Sequence, residues 1–323
     1  MKILVIGAAG FIGKFLTNRL IKEGHKVIGF DINPASEKQK NLYKCITGNI
    51  LSPDAVLRAT NGVDMIITLA AKHHDFGVTR EEFFKVNESG TKILLDCASK
   101  SEVKNIIFYS TVAVYGTHKE PTTEDTLPVP DNDYGKSKLA AEQLIYKWVE
   151  EDKTRCAVII RPTVVFGPQN YGNVYNLIDK IYRKKFLFVG VGNNIKSVAY
   201  VENLVDTNIF LLDKLKPGIQ IFNYSDEPQK TITQIVETIT KNLPYGIPKI
   251  KIPLILAVTL GSILDMLAKL TGYNSPITSA RMKKFSTLTH HKSEKIRKFG
   301  FQQKIEIKEG FRKMVEWYLD TQT

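Results

Sequence analysis

Two residues four positions apart, Tyr134 and Lys138, form a pattern suited to proton transfer. Residues at positions i and i+4 share a helix face, so both side chains can reach one cleft. A tyrosine with a pKa of roughly 10 is a poor base near neutrality. A neighbouring ammonium group favours the phenolate and lowers that pKa, which makes Tyr134 a candidate general base.

A glycine pattern near the N-terminus, Gly7-x-x-Gly10-x-x-Gly13, indicates what this base would serve. Glycine-rich turns between a strand and a helix let backbone N–H groups approach a pyrophosphate. Either pattern alone is weak, because each also occurs by chance. Together, and in this order, they predict hydride transfer at a hydroxyl or carbonyl carbon.

Asp31 indicates which dinucleotide would bind. It follows Gly7 by 24 residues and stands at the predicted end of the second strand. A carboxylate there accepts hydrogen bonds from the adenosine ribose and repels a 2′-phosphate, so NAD is favoured over NADP. The alternative is a strand-end aspartate that caps a turn with Asn33 and Pro34.

Thr111 is the candidate third member of the site. Ser110 and Thr111 follow the apolar run that ends at Tyr109, and ligands bind at this edge of parallel sheets. We expect Thr111 to hydrogen-bond the reacting oxygen and to share its proton with Tyr134. The alternative is a hydroxyl that forms a turn or caps a helix.

The elements that would position these residues alternate along the chain. Apolar runs predict strands at 2–6, 26–30, 65–69, 105–109 and 157–160, and helical spacing predicts helices after Gly10 and at 81–99 and 134–150. Strands alternating with helices predict an α/β fold, a Rossmann-type, doubly wound parallel sheet.

The regularity loosens after residue 165. We therefore predict an NAD-binding Rossmann domain over 1–165 and a smaller, mixed C-terminal lobe over 166–323 that mainly binds substrate. Helices are expected near 173–184 and 231–242. Strands near 197 and at 219–223 are candidates to return to the main sheet.

Composition narrows the class of protein. The 323 residues are 43% hydrophobic and 24% charged, which is ordinary for a globular chain. Three widely spaced cysteines favour a reducing compartment, so we expect a cytoplasmic protein without disulfides or a metal.

Two apolar runs could suggest targeting or membrane segments. Residues 3–12 are better interpreted as a strand and turn than as a signal peptide. Residues 252–264 are too short to span a bilayer, and we favour a buried or partner-facing helix over contact with a membrane surface.

The net charge of +12 is concentrated near the C-terminus. Residues 281–313 contain 11 Lys or Arg and 3 acidic residues, a local excess of +8. No nucleic-acid motif accompanies them, so a solvated face beside an anionic small-molecule site is favoured over a nucleic-acid surface.

The pairs His73-His74 and His290-His291 are interpreted as surface groups, because no other metal-ligating residues accompany them. His73 and His74 nevertheless lie where they could reach substrate.

Further motifs make the chain resemble the extended short-chain dehydrogenase/reductases, in particular the NAD-dependent nucleotide-sugar epimerase/dehydratase group. They are Leu69-Ala70-Ala71, Val86-Asn87-x-x-Gly90-Thr91, Val114-Tyr115-Gly116, Tyr134-Gly135-x-Ser137-Lys138 with Glu142, and Tyr200-Val201-Glu202-Asn203-Leu204. The resemblance covers nearly the whole chain. It implies a cofactor site lined by Gly7, Gly10, Phe11, Ile12, Gly13, Asp31, Asn49, Ile50, Leu69, Ala70, Ala71, Asn87, Ser110, Tyr134, Lys138 and Pro162. It implies a homodimer that pairs through the helices at 81–99 and 134–150. The substrate candidates are Lys72, His73, Thr111, Val164, Lys196 and Arg281.

Departures from the family pattern narrow the reaction. Sugar 4,6-dehydratases carry an acidic pair just after the catalytic threonine, whereas this chain has Val112 and Ala113. Neither side chain is an acid or a base, so dehydration is disfavoured. Val164 stands where many UDP-sugar 4-epimerases have an asparagine. Lys196 stands where those enzymes often have an arginine toward the diphosphate, and it lacks the bidentate fork.

The predicted activity is an NAD-dependent nucleotide-sugar 4-epimerase that passes through a 4-keto sugar, acting on a UDP-hexose or UDP-N-acetylhexosamine. The alternative is a net 4-ketoreductase or dehydrogenase at the same carbon, with a 3-beta-hydroxysteroid-type dehydrogenase further behind. A non-catalytic nucleotide-binding protein is a third class, which Thr111, Tyr134 and Lys138 disfavour. We predict no nucleic-acid partner and no transmembrane segment.

Overall fold

A seven-stranded parallel sheet organises the first 224 residues of the computed structural model, with strand order β11-β6-β5-β4-β1-β2-β3. The structure describes residues 1–73, 77–244, 251–253, 255, 256, 259, 262 and 289–322. All neighbouring strands of this sheet run parallel, so each strand ends at the same edge. The predicted α/β, Rossmann-type sheet is confirmed.

The sheet strands are β1 Lys2–Ile6, β2 Lys26–Asp31, β3 Lys44–Thr47, β4 Met65–Thr68, β5 Asn105–Tyr109, β6 Cys156–Pro162 and β11 Gly218–Tyr224. The helices of this region are α1 Phe11–Lys22, α2 Glu37–Lys40, α3 Pro53–Thr60, α4 Arg80–Phe84, α5 Gly90–Lys100, α6 Asp133–Glu151 and α8 Val201–Leu212. A π-helical segment, Lys85–Ser89, joins α4 to α5, and a 3-10 turn, Val112–Tyr115, follows β5.

Helices cover both faces of the sheet, which explains why its central strands are almost entirely apolar. One buried cluster lies between the sheet and α3, α5 and α6, and includes Leu4, Ile66, Phe108 and Ile159. The cluster on the other face packs against α1 and α8. The alternation of side chains across each strand therefore places Phe108 and Ser110 on the face that α6 covers.

The C-terminal region contributes smaller elements. They are β7 Val164–Phe166, β8 Phe188–Val189, β9 Ile195–Lys196, β10 Val198–Tyr200, β12 Lys230–Thr231, β13 Lys251–Ile252, α7 Asn173–Tyr182, α9 Ile232–Thr240, α10 Glu294–Lys298 and α11 Ile307–Asp320. Its short strands form three two-stranded sheets. A third apolar cluster fills the space between α7, α9 and α11.

The sequence-based boundaries hold within one or two residues for most elements. The predicted strand at 219–223 does join the main sheet, whereas the strand near 197 pairs with β7 outside it. The strand β3 and the helix α3 were not predicted. The apolar run 252–264 lies mostly outside the described residues.

The N-terminal apolar run forms a strand and turn, as predicted, because β1 ends at Ile6 and α1 begins at Phe11. Within the described ranges, no helix combines the length and the apolar composition that a bilayer span requires.

Candidate functional site

The tight turn between β1 and α1 can form only because it is built from glycines. Gly7 has a φ of +87°, and a Cβ on it would lie 3.0 Å from the Ala70 nitrogen. A Cβ on Gly13 would lie 2.1 Å from the Gly7 oxygen. Gly10 precedes α1 without a capping side chain, so the first N–H groups of the helix face outward. This geometry fits a pyrophosphate.

Asp31 ends β2 beside that turn. Its Oδ2 accepts from the Ala9 N–H at 2.9 Å, and its Oδ1 accepts from the Asn33 N–H at 2.9 Å. The second contact is the turn-capping bond expected of a strand-end aspartate. A carboxylate offers about four lone-pair positions, so both oxygens can still accept from a ribose.

Two buried hydroxyls at the same edge have no hydrogen-bond partner among the residues that the structure describes. They are the Oγ of Ser110, after β5, and the Oγ1 of Thr163, after β6. Buried polar atoms are nearly always paired, so an orphaned pair at a ligand edge fits a bound group that would complete them. Ser110 was predicted to line the cofactor. Thr163 adjoins the predicted Pro162.

Asn87 ties the loop after β4 to the helix α6. Its Oδ1 accepts from the Lys72 N–H at 2.8 Å, and its Nδ2 donates to the Lys72 oxygen at 3.0 Å. The same Nδ2 donates to Ser137 Oγ at 2.9 Å. The predicted residues Leu69, Ala70 and Ala71 therefore lie in a loop whose end is held against α6.

Tyr134 stands in the first turn of α6. The helix begins where Asn132 accepts from the Gly135 N–H at 2.8 Å, which caps it. Tyr134 is half-buried, and its ring centre lies 6.0 Å from that of Phe83 in α4. Lys136 is exposed, as its position predicted.

Thr111 is brought close to this helix by a glycine contact. A Cβ on Gly135 would lie 2.4 Å from the Ala113 oxygen, so α6 touches the 3-10 turn that Thr111 begins. Thr111 is buried, and its Oγ1 accepts from the Ala113 N–H at 3.2 Å. This contact is the helix-capping alternative predicted for Thr111. Because the oxygen acts as an acceptor here, the hydroxyl hydrogen can still be donated to another group.

Lys138 is buried one turn after Tyr134. It is 1% exposed, and its Nζ lies 4.0 Å from the centre of the Phe108 ring. Burial lowers the pKa of Lys138 from 10.5 to about 7, while the Glu142 carboxylate acts in the opposite direction. An ammonium at this position favours the phenolate of Tyr134.

A buried ion pair lies beyond Lys138 and was not predicted. Arg161 Nε donates to Glu142 Oε1 at 3.0 Å, and Nη2 donates to Oε2 at 2.5 Å. Arg161 Nη1 also donates to Tyr115 Oη at 2.8 Å, and that hydroxyl donates to Asn223 Oδ1 at 2.8 Å. Glu142 stood in a quoted motif and Arg161 precedes the predicted Pro162, but sequence spacing did not show that they meet.

The predicted substrate residues are more dispersed. Val164, in β7, is 42% exposed and pairs with Val198. Lys196, in β9, pairs with Lys230 and forms a bridge with Thr289. Arg281 lies outside the described residues.

The remaining predicted positions lie near loops at the sheet edge. Lys72 Nζ is 3.9 Å from Glu82, and His73 is exposed, with Nδ1 3.4 Å from the Ala71 oxygen. Asn49 is exposed and its Oδ1 accepts from the Leu51 N–H, whereas Ile50 is buried. Phe11 and Ile12 are half-buried in the first turn of α1.

The interpretation of His291 as a surface group was wrong. His291 is 9% exposed, its ring stacks on Tyr115 at 6.2 Å, and its Nδ1 lies 2.6 Å from Thr122 Oγ1. Burial, followed by the nearby His290 and His118, lowers its pKa from 6.5 to about 4. Its partner lies 169 residues away in sequence, so no local pattern could have revealed the contact.

The family is decided by a comparison across most of the chain. The model of the NAD dependent epimerase/dehydratase family matches residues 3–224. The chain belongs to this family. Its cofactor is accordingly NAD, which the glycine turn, Asp31 and the orphaned hydroxyls fit. The predicted family, cofactor and enzyme class are confirmed.

One relative matches this chain over nearly its full length. The N-acetyl-alpha-D-glucosaminyl-diphospho-ditrans,octacis-undecaprenol 4-epimerase of Escherichia coli O157:H7 is 36% identical over 318 residues, covering 98% of this chain and 94% of the relative.

Solved structures share the fold at lower identity. UDP-glucose 4-epimerase from Bifidobacterium longum, in complex with NAD+ and UDP, has a TM-score of 0.78 at 20% identity and covers 100% of this chain and 99% of its own. UDP-glucuronic acid 4-epimerase from Bacillus cereus, in complex with NAD, has a TM-score of 0.78 at 22% identity and covers all of both chains.

Proposed function

We propose that the protein is an NAD-dependent 4-epimerase of a diphosphate-linked hexose or N-acetylhexosamine. The supporting observation is the close packing of α6, which carries Tyr134 and Lys138, on the 3-10 turn that Thr111 begins, a turn without an acidic pair. Val112 and Ala113 occupy that turn, so a dehydratase has no group there to eliminate water. The 36% identical relative is itself named a 4-epimerase.

Tyr134 is the proposed base. As a phenolate it accepts the proton of the substrate 4-hydroxyl, either directly or through the Thr111 hydroxyl, which can donate and accept at once. NAD, when bound, would supply the hydride acceptor for carbon 4 and the hydride donor for the return step. Once the 4-keto sugar has rotated in the site, carbon 4 presents its opposite face to the cofactor. Tyr134 then returns the proton to the 4-oxygen.

Lys138 and the residues around it hold this arrangement. Its ammonium is proposed to stabilise the phenolate and to hydrogen-bond the cofactor ribose. The orphaned Ser110 and Thr163 hydroxyls and the Asp31 carboxylate are the proposed polar contacts to the cofactor. The Asn87 amide keeps the loop after β4 against α6, which excludes water from that side.

The substrate carrier distinguishes two forms of the proposal. The named relative acts on an undecaprenyl-linked sugar, whereas the solved neighbours are UDP-sugar enzymes. Both carriers present a diphosphate, for which Lys196 and Arg281 are the proposed cationic contacts. We favour the polyprenyl-linked N-acetylhexosamine, because that relative matches along 98% of the chain at the higher identity.

Incubation with each carrier tests the proposal. Wild-type protein with NAD should interconvert the 4-epimers of polyprenyl-diphosphate N-acetylglucosamine faster than those of UDP-N-acetylglucosamine, without net accumulation of reduced cofactor. Stoichiometric oxidation or reduction of the cofactor would instead identify a 4-ketoreductase. The Tyr134→Phe variant controls for contaminating epimerase.

The larger organisation is also proposed on family grounds. Residues 1–165 would bind NAD, and 166–323 would mainly bind substrate, with β11 returned to the main sheet. A homodimer would pair through the helices of 80–100 and α6, and the protein would work in the reducing cytoplasm. Light scattering of Lys92→Glu and Lys147→Glu variants tests the dimer, since both side chains are exposed on those helices.

A further inference from the structure

We propose that Glu142 and Arg161 are positioning residues for Lys138: the carboxylate favours the protonated lysine against the effect of burial, and the guanidinium prevents that carboxylate from capturing the ammonium group. This inference rests on the proposed function, which gives Lys138 its role beside Tyr134. It assigns a task to a buried ion pair that the reaction itself does not use.

The geometry places Lys138 between two competing partners. Tyr134, Lys138 and Glu142 follow one another at intervals of four, so they share one face of α6. Tyr134 lies one turn toward the start of the helix and Glu142 one turn toward its end. An ammonium on a flexible stem can turn toward either of them.

Arg161 decides this competition by engaging both oxygens of Glu142. The fork formed by Nε and Nη2 is bidentate, at 3.0 and 2.5 Å. A bidentate contact of this kind sets the orientation of the carboxylate and keeps it ionised. Glu142 therefore acts on Lys138 from one helical turn away, and the ammonium group remains available to Tyr134.

Arg161 is itself held in place by a second contact. Its Nη1 donates to Tyr115, its Cζ lies 5.0 Å from the centre of that ring, and Tyr115 donates onward to Asn223. Asn223 is the register partner of Arg161 in the neighbouring strand, so the support comes from the sheet. Burial raises the pKa of Tyr115 to about 12, so its hydroxyl remains a donor near neutrality.

The charge balance explains why Glu142 is needed. Lys138, Glu142 and Arg161 are 1%, 0% and 2% exposed, so two cations and one anion share a dry space. A buried ammonium loses its proton readily unless an anion lies close by. The ammonium group also lies over the Phe108 ring of β5, and its neighbours one turn away on α6 are Tyr134 and Glu142.

Opposite shifts in two variants test the proposal. Glu142→Gln removes the anion and should lower the pKa of Lys138 by about one unit or more. Arg161→Met frees the carboxylate to pair with Lys138 and should raise that pKa. A pair with only a packing role predicts a rise in both, because loosened packing admits water and reduces desolvation. The pKa is measured by NMR of lysine-labelled protein, with the signal assigned by its loss in Lys138→Met.

Activity provides the second measurement. The alkaline limb of the kcat/KM profile should move to lower pH in Glu142→Gln and to higher pH in Arg161→Met, and Arg161→Lys should restore part of the wild-type profile. The matched control is Glu151→Gln, which breaks the exposed Glu151–Arg155 pair on the same helix and should shift neither quantity. Shifts in the same direction for Glu142→Gln and Arg161→Met, or none, would overturn the proposal.

Two further points keep the test decisive. If Glu142→Gln does not fold, the double variant Glu142→Gln/Arg161→Met replaces it, because that variant leaves no uncompensated charge from the pair. The pKa of Lys138 should then fall by less than in Glu142→Gln. An unchanged or raised pKa would contradict the proposal. The NMR titration requires neither substrate nor cofactor. A wild-type protein that binds no NAD or forms no epimer therefore refutes the proposed function separately.

Discussion

The cofactor side of the site and its substrate side are built in different ways. On the cofactor side, Gly7, Ser110 and Thr163 each follow directly from a strand of the seven-stranded sheet, and the glycine turn packs on the loop after β4. On the substrate side, Lys196 lies in a two-residue strand whose partners, Lys230 and Thr289, come from distant parts of the chain.

This difference separates the reaction from the choice of substrate. Parallel strands bring their carboxyl ends to one edge, so the cofactor side is assembled by the same pairing that forms the core. Short, paired segments in the C-terminal region are less constrained by that core, and such segments vary most among proteins of one fold. The chemistry is therefore expected to depend on the first part of the chain, and the sugar carrier on the second.

The largest expected effect lies on the cofactor side. Tyr134→Phe should reduce kcat about 10²- to 10⁴-fold, because the proposed base is lost while the helix is kept. NAD affinity, measured by calorimetry, should change little. Tyr146→Phe, on the same helix and half-buried, should leave kcat unchanged. Comparable activity in Tyr134→Phe and wild type would remove Tyr134 from the mechanism.

Gly135→Ala tests whether the cofactor side depends on one close contact. A Cβ there would lie 2.4 Å from the Ala113 oxygen, so α6 or the turn of Thr111 must move. We expect a loss of about 1–3 kcal/mol of unfolding free energy and a lower kcat. An alanine in place of a helix glycine ordinarily raises the unfolding free energy by up to about 1 kcal/mol. The sign of the change in Gly135→Ala therefore shows whether the contact with Ala113 outweighs helix propensity. Lys136→Ala, on the exposed face, controls for helix propensity.

The same contrast explains what could be predicted from the sequence. The glycine turn, the run ending at Tyr109 and the start of α6 are each contained in a few consecutive residues, and the structure places them where their local patterns predicted. The strand β3 was missed because it is short and half-exposed at the sheet edge, with Ile46 and Cys45 its only apolar residues. The helix α3 did carry a start signal, Pro53 at its first position.

Polar contacts between residues far apart in the sequence could not be predicted from local patterns. Glu142 and Arg161 meet because α6 crosses the face of β6, and their spacing of 19 residues has no meaning outside the fold. His291 was misinterpreted for the same reason. His290 and Lys292 flank His291, so its local sequence is polar, and contacts with distant residues such as Thr122 and Tyr115 bury it.

Lys196→Met addresses the substrate side. If this ammonium contacts the substrate diphosphate, its loss should raise KM roughly tenfold to a hundredfold, because a hydrogen bond to a charged group is removed. The affinity for NAD and kcat should change much less. Lys230→Met, which alters the register partner in the same short sheet, is the matched control. Equal effects of the two variants would indicate that the sheet, and not the charge, is what matters.

His291 joins the two sides, and its titration gives the smallest expected effect. Its ring lies between Thr122 and Tyr115, while its backbone N–H donates to Ser197 Oγ at 3.0 Å. Its pKa falls from 6.5 to about 4 on folding, so the folded state disfavours the charged form. This contribution to stability is complete above pH 6.5 and is lost as the pH falls toward 4. Between pH 6.5 and about 5.5 the loss should be about 1 kcal/mol. Denaturant unfolding of His291→Asn should show a shallower decline over that range than wild type. His73→Asn, at an exposed position, is the control. An identical slope for wild type and His291→Asn would mean that the contacts with Thr122 and Tyr115 do not keep the ring neutral.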